Sequence, residues 1–373
     1  MNSATVSAGR ILRPTRAEIR LSAVRNNLKK IKKAVSPARL LFMVKANAYG
    51  HGAAGLSRLA EREGLAWGFG VSSVEEGLAL RADGIKGPVL VLGSLYPFKS
   101  FVEAINAGLI VTIASLDAAR QVIAAARKLG KKAVCHMKLE TGMGRIGARR
   151  PSLLKIYDEL SASGSVEVAG LYTHLSSADS DPDYTGAQLS IFSETAAELE
   201  ARGVRGLLLH CANSCAAMNC PVSRMDLVRC GIAAYGLAEG FEPALSLKSS
   251  IVFIKNVREG AFISYNKSFR ADRPLKIATI PVGYGDGYLR RFSNKADVLI
   301  GGLRCRVLGN VTMDMIMADV TAVKDSAVGS EAVLLGRQGA AEITAAELAD
   351  LAGTITYEIV TLISARVPRV YVE

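Results

Sequence analysis

Leu40-Leu41-Phe42-Met43-Val44-Lys45-Ala46-Asn47-Ala48-Tyr49-Gly50-His51-Gly52 opens with five apolar residues and breaks at Lys45 into a polar, glycine-containing turn. A short unbroken apolar run ending in turn residues reads as a strand buried on both faces. Similar runs recur downstream, so that the series is 40–45, 68–72, 89–93, 109–114, 133–139, 168–174, 207–210 and 226–232. Between them lie stretches of helical period, such as 115–129, which Ser115 is placed to cap. Continuous apolar strands alternating with helices imply parallel pairing with both sheet faces covered. Eight such units in roughly 200 residues predict an α/β fold, a (β/α)8 barrel of the TIM type with functional groups gathered at the C-terminal ends of its strands. An open doubly wound sheet is the rival on pattern alone.

Beyond residue 245 the helical period fades. Runs at 250–257, 275–282, 296–300, 304–308, 317–320 and 332–335 follow, separated by turn signals such as Gly301-Gly302 and Gly309-Asn310. A helical segment at 344–351 interrupts them, with Thr344 and Glu347 spaced as a capping box. The expected organisation is a tail at 1–12, a barrel at 13–248 and a mostly β C-terminal domain at 249–373.

Composition sets further bounds. Of the 373 residues, 50% are apolar and 21% charged, which excludes intrinsic disorder. No apolar run approaches the about 18 residues of a membrane span. Arg10, Arg13 and Arg16 have no hydrophobic stretch after them, so no secretory signal is read and a soluble, cytoplasmic protein is expected. Basic residues outnumber acidic ones 46 to 34, for a net charge of +12. They are dispersed, and the densest cluster, Lys29, Lys30, Lys32 and Lys33, reads as the solvated face of a helix with Leu28, Ile31 and Val35 inward. Neither nucleic acid nor membrane is expected as a partner. The six cysteines form no CxxC pair and are read as reduced, mostly buried thiols. His210, Cys211 and Cys215 lack a second ligand pair at zinc spacing, so no metal site is expected.

Lys45 is the first residue of chemical interest. A lysine that follows such an apolar run either leaves the core at a strand end or projects into the barrel mouth. Desolvated there, its amine serves as a nucleophile or Schiff-base former. The spacing alone leaves both readings open.

The stretch from Val44 to Gly52 resembles the cofactor-lysine motif of the alanine racemase family, which carries pyridoxal phosphate (PLP). The likeness extends in order through Thr141-Gly-Met-Gly-Arg145-Ile-Gly147, Thr173-His174-Leu175, Ala212-Asn213-Ser214 and Arg229-Cys-Gly231-Ile232. It continues through Ser264-Tyr265, Gly283-Tyr284-Gly-Asp286, Met313-Asp314 and Tyr357-Glu358, covering about Arg13 to Tyr371. It implies a PLP barrel followed by a β domain, acting on alanine as a homodimer whose active sites are shared between subunits. Its implied role is the supply of D-alanine for peptidoglycan.

Racemisation removes a Cα proton from one face and returns one to the other, so it requires two acid/base groups. The resemblance assigns these to Lys45 and to Tyr265, the latter supplied by the partner subunit. A tyrosine with a pKa near 10 is a poor base at neutral pH and needs positive charge nearby; the family places His174 beside it. Arg229 matches the arginine that contacts the pyridine nitrogen of PLP, where a permanent donor makes the ring a weaker electron sink. Ser214, the backbone at Gly231 and Ile232, and the hydroxyls of Tyr49 and Tyr357 match the phosphate contacts. Arg145 and Met313 match substrate-carboxylate contacts, Tyr284 an entrance residue, and Lys138 a lysine carbamylated in many relatives.

Two positions depart from the pattern. Asn266 follows the catalytic tyrosine where glycine is common, with Lys267 after it, and Cys215 follows Ser214 where alanine is common. Asn266 leaves open a racemase of the same design that prefers serine or a broader set of amino acids. A PLP-carrier barrel without catalysis lacks a domain bearing Tyr265. A PLP decarboxylase is opposed by the lysine–tyrosine pair and Arg145.

Overall fold

The computed structural model describes residues 12–373, so the expected tail at 1–12 lies, except for Leu12, outside the described residues. Two compact units are distinguished, one of residues 25–48 and 53–234, the other of the described residues up to 24 together with 49–52 and 235–373.

The first unit is built on eight parallel strands: Arg39–Met43, Gly68–Val71, Val89–Val91, Ile110–Ile113, Ala133–Lys138, Val166–Tyr172, Leu208–His210 and Leu227–Cys230. They neighbour one another in chain order, and the eighth lies beside the first. Leu41 is in register with both Gly68 and Arg229, so the first strand has a parallel partner on each side. Between the seventh and eighth strands the Asp226 N–H donates to the Leu209 carbonyl at 3.1 Å, and the Arg229 N–H to that of Ala212 at 3.0 Å. The sheet is therefore a nearly closed (β/α)8 barrel. A first strand paired with the eighth excludes the open doubly wound order.

The barrel strands are mostly apolar because both faces are covered, and Leu41, Phe42, Val89, Leu90, Val111 and Ile113 are all but inaccessible. Each large side chain buried this way contributes about 1.5–3 kcal/mol. The covering helices follow the expected local rules. Leu116–Leu129 starts where the Ser115 hydroxyl accepts the Ala118 N–H at 3.1 Å and stops at Gly130, whose φ is 59°. In Leu21–Val35 the four clustered lysines are exposed while Leu28, Ile31 and Val35 are buried. The six cysteines are free thiols, four of them buried.

The second unit is mostly β. Its largest sheet orders Leu303–Arg306, Asp297–Ile300, Glu331–Gln338, Leu245–Ser250, Arg16–Arg20 and Arg369–Val372, with Ala341–Ile343 beside Glu331–Gln338. A three-stranded sheet comprises Phe253–Val257, Leu275–Ile280 and Ile316–Asp319, and Phe262–Ile263 pairs with Phe269–Arg270. The strand Arg16–Arg20, expected within the barrel segment, pairs instead with Leu245–Ser250 and Arg369–Val372. The units thus divide the chain differently from the expected segments 13–248 and 249–373. The helix Ala345–Ala352 has half of the expected capping box. The Thr344 hydroxyl accepts the Glu347 N–H at 3.1 Å, but the Glu347 carboxylate binds Arg304 at 2.6 and 2.8 Å. Among the described residues no helix is long and apolar enough to cross a membrane.

Candidate active site

Lys45 stands at the C-terminal end of the first barrel strand, at the start of an unusual turn. Ala46, Asn47 and Ala48 have φ of 50, 53 and 55° with ψ of 49, 48 and 51°, and Tyr49 continues at φ 53°. Four consecutive non-glycine residues thus form a left-handed turn, a conformation that costs roughly 1–2 kcal/mol per residue. The Ala48 N–H reaches the Val44 carbonyl at 2.8 Å, and the Asn47 side-chain oxygen takes the Ala53 N–H at 2.9 Å. The Ala46 N–H donates to the Glu76 carboxylate at 2.7 Å. Lys45 itself is half-buried. Burial, then the Arg145 guanidinium, lower its pKa; Arg229 adds to this and Glu76 opposes it.

Arg229 lies buried on the eighth strand with its donors on neutral acceptors. One terminal nitrogen meets Nδ1 and the carbonyl of His210, both at 3.0 Å. The other meets the carbonyls of Thr173 and Cys211, at 2.7 and 3.0 Å, and Nδ1 of His174 at 3.2 Å. A guanidinium only donates, so both Nδ1 atoms accept and both imidazoles carry their proton on Nε2. His210 Nε2 then donates to His136 Nδ1 at 2.9 Å, leaving a buried His136 Nε2–H without a hydrogen-bond partner among the described residues. Burial, then Arg229, lower His174 to about 2 and His136 to about 4, and hold His210 well below its ordinary value. All three are neutral at pH 7. The positive charge expected at His174 is therefore on Arg229, and the imidazole is its acceptor.

Lys138 and Arg145 complete the cationic group. The Lys138 ammonium lies 5.4 Å from the centre of the buried Tyr172 ring, and the Arg229 guanidinium is also 5.4 Å from it. Burial, then Arg145 and Arg229, pull Lys138 down to about 8. Arg145 follows a turn through Gly142 and Gly144, at φ 138 and 66°, whose amides donate to the Glu140 carboxylate at 2.6 and 3.0 Å. Gly142, at φ 138°, has a backbone conformation that favours glycine, and its carbonyl accepts the Tyr184 hydroxyl at 2.9 Å.

The matched phosphate residues are partly engaged already. The Asn213 side chain caps the short helix Ser214–Asn219 by accepting the Ala216 N–H at 3.0 Å. The buried Ser214 hydroxyl accepts the Gly231 N–H at 3.0 Å, and Ile232 is buried beside it in sequence.

In the β unit, the Tyr49 and Tyr357 rings are 6.0 Å apart, centre to centre. Tyr265 is 69% exposed, Met313 53% and Tyr284 44%. Tyr265 occupies a strained turn of its own. Ser264 has φ 66° and ψ −178°, while Asn266 and Lys267 have φ 60 and 54°. Asparagine tolerates the left-handed region better than most residues, so Asn266 supplies locally what glycine would. The turn is fastened where the Ser264 hydroxyl donates to the Asn310 carbonyl at 2.7 Å and the Asn310 side chain donates to the Tyr265 carbonyl at 2.9 Å. Asp286, fully buried, receives the guanidinium of Arg13 and, at 2.7 Å, that of Arg366, which also binds Asp314. This network ties the Tyr284 loop to the Met313 loop.

The sequence reading missed three residues of the barrel mouth. His136 lies two positions before Lys138 and so shares its strand face, which is the signal that was available. His210 reads from the sequence only as a possible metal ligand. Glu76 carried no signal beyond its spacing from Ser73.

The family models agree with the motifs. The one described as the N-terminal domain of alanine racemase matches residues 19–239, and that of the C-terminal domain matches 244–371. The chain belongs to the alanine racemase family. It is an isomerase of that type, as the motif resemblance implied. An alanine racemase of Symbiobacterium thermophilum is 45% identical over 370 residues, covering 96% of this chain and 97% of the relative. One from Clostridium perfringens is 40% identical over 373 residues, covering 96% of each. Among solved structures, alanine racemase of Clostridium difficile 630 superposes with a TM-score of 0.92 at 36% identity, covering 98% of this chain and 97% of that one. The Bacillus anthracis alanine racemase with bound L-Ala-P also gives 0.92, at 35% identity over 97% and 96%.

Proposed function

We propose that this chain interconverts L- and D-alanine with PLP as its cofactor, using Lys45 and Tyr265 as the two acid/base groups, and that it supplies D-alanine for peptidoglycan in the cytoplasm. One observation carries the reading. Lys45, Lys138, Arg145 and Arg229 lie within electrostatic reach of one another, and Glu76 and Glu140 only partly offset them. Such an excess of cations favours anionic occupants, and a phosphate-bearing cofactor together with an amino-acid carboxylate meets that demand. An amine depressed by burial at the strand end suits attachment to an aldehyde. A buried arginine held by neutral acceptors suits a donor to a ring nitrogen. The residues present therefore fit PLP.

Bound PLP supplies the electron sink that makes the Cα–H of an attached amino acid acidic. Arg229, with its charge retained, limits how far that sink draws electrons. Arg145, on its glycine turn, and Met313 orient the substrate carboxylate. Ser214, Gly231, Ile232, Tyr49 and Tyr357 hold the phosphate, and His174 buttresses Arg229. Lys45, as the free amine, takes or returns the proton on one face of Cα, and Tyr265 of the partner subunit does so on the other. Tyr284 lines the entrance. Lys138 stands beside Arg145; carbamylated, it would exchange its positive charge for a negative one and orient that guanidinium.

The test is the optical rotation of L-alanine incubated with the purified protein and PLP, beside L-serine. Loss of rotation with alanine, faster than with serine, is expected. Lys45→Ala should abolish turnover in both directions. Tyr265→Phe should slow proton removal from the L-enantiomer far more than from the D-enantiomer, and equal losses would remove the two-base assignment.

A further inference from the structure

The left-handed turn behind Lys45 needs something to hold it, and Glu76 is placed to do so. Glu76 is in the first turn of the helix Val74–Ala82, whose N-cap is Ser73. The Ser73 hydroxyl accepts the Glu76 N–H at 3.3 Å. In an ordinary capping box the glutamate carboxylate would answer by accepting the amide of the cap residue itself. Here it reaches past Ser73. One carboxylate oxygen accepts the Ser72 N–H at 2.6 Å, at the end of the second barrel strand. The other accepts the Ala46 N–H at 2.7 Å, at the end of the first. A single side chain thus ties two adjacent strand ends together at the residue that follows Lys45.

The geometry points to Glu76 as a positioning residue for Lys45: its carboxylate anchors the strained turn through the Ala46 amide, aims the lysine, and sets a negative charge beside the amine. The charge matters because the other groups around Lys45 are cationic or neutral. Arg145 faces it from the loop after the fifth strand and Arg229 from the eighth strand, while Lys138 and His174 also feel its charge. With Glu76 present, the amine is not driven as low as burial and the two arginines alone would take it. Hydrogen bonds from two amides to one carboxylate are charge-assisted and strong, and strain in the turn persists only where its surroundings over-determine it.

The inference depends on the proposed role of Lys45 only for its catalytic consequence, so the test reads the lysine directly. The full chain is freed of cofactor with hydroxylamine, and acylation of Lys45 by acetic anhydride is followed across pH by peptide mass spectrometry. In Glu76→Gln, which keeps size and one acceptor oxygen, the midpoint of Lys45 labelling should fall by at least about half a pH unit. In Glu76→Ala, amide hydrogen exchange at Ala46 should accelerate about 10- to 100-fold, as expected for loss of a hydrogen bond to a charged group. Exchange in the helix Leu116–Leu129 should be unaltered in both variants, which establishes that they fold. Racemisation by Glu76→Gln should lose about 10-fold in kcat with little change in KM, and Glu76→Asp should recover part of it. An unmoved labelling midpoint overturns the inference even if Ala46 exchange accelerates. Racemisation that survives Lys45→Ala would sink the role of Lys45 while leaving both measurements on Glu76 valid.

Discussion

Lys138 shows how a single side chain records the electrostatics of the barrel mouth. It is 3% exposed and lies over the Tyr172 ring, and burial, then Arg145 and Arg229, bring it to about 8. The folded chain therefore disfavours its protonated form. Below pH 8 both folded and unfolded chains hold the proton, and the fold bears the whole penalty. Between about pH 8 and the ordinary lysine value near 10.4 the folded chain releases its proton first, so this residue makes stability rise with pH in that window. Lys138→Met removes the penalty. It should raise Tm at pH 7 by about 2–4 °C, and the gain should fade towards pH 10. Carbamylated Lys138 would carry negative charge that Arg145 and Arg229 stabilise, and Lys138→Met would then lower Tm at pH 7. The sign of the change at that one pH separates the bare amine from the carbamate.

At the scale of elements, both groups assigned to proton transfer sit on backbone that local preference does not favour. Lys45 precedes the left-handed turn Ala46–Tyr49, and Tyr265 lies between Ser264 and Asn266 at φ 66 and 60°. Such strain, held by hydrogen bonds from elsewhere in the same unit, fixes a reactive side chain more narrowly than a relaxed loop does. A comparison of alanines tests whether the strain is real. Ala124 is exposed in the right-handed helix Leu116–Leu129, where Ala124→Gly should cost about 1 kcal/mol. Ala46→Gly should be neutral within about 0.5 kcal/mol, because relief of the left-handed penalty offsets the entropy gained by the unfolded chain. Equal losses by thermal unfolding would contradict the left-handed turn. The same contrast explains what the amino-acid order revealed. The eight barrel strands were legible because strands covered on both faces are largely apolar runs, and Ser115 and Thr344 marked their helices by cap chemistry. The strand Arg16–Arg20 was not legible, since its short polar-apolar alternation acquires meaning only from partners at Leu245–Ser250 and Arg369–Val372. Nor was the turn after Lys45, because alanine and tyrosine do not announce a left-handed backbone. The lysine and the motif around it could be read, but the Glu76 carboxylate that shapes the turn lies thirty residues away. His210 was visible as a residue, yet its partnership with Arg229 became apparent only once their strands lay side by side.

At the scale of the whole molecule, the exposure of the β unit's side chains sets a constraint. The β unit presents Tyr265, Tyr284 and Met313 largely exposed, although the proposed chemistry needs a tyrosine base in a site shielded from water. A second copy of the chain, contributing these side chains in a two-fold dimer, would satisfy that need, and in a two-fold arrangement each contact is made twice. Under the proposed function the site would divide by subunit, with Lys45, Arg145 and Arg229 from one and Tyr265 from the other. Lys45→Ala and Tyr265→Ala are each expected to be inactive, because every site in either homodimer lacks one acid/base group. If equal amounts are mixed and allowed to exchange subunits, about half of the dimers are mixed, and each of these has one site with both groups intact and one with neither. Activity should therefore return to about a quarter of the wild-type value. If each site were built within a single chain, every site in the mixture would still lack one group, and activity would stay at the level of the separate variants however completely the subunits exchange. Native mass spectrometry of differently tagged chains establishes the exchange, and racemisation of L-alanine by the same mixture then decides between a shared and a self-contained site.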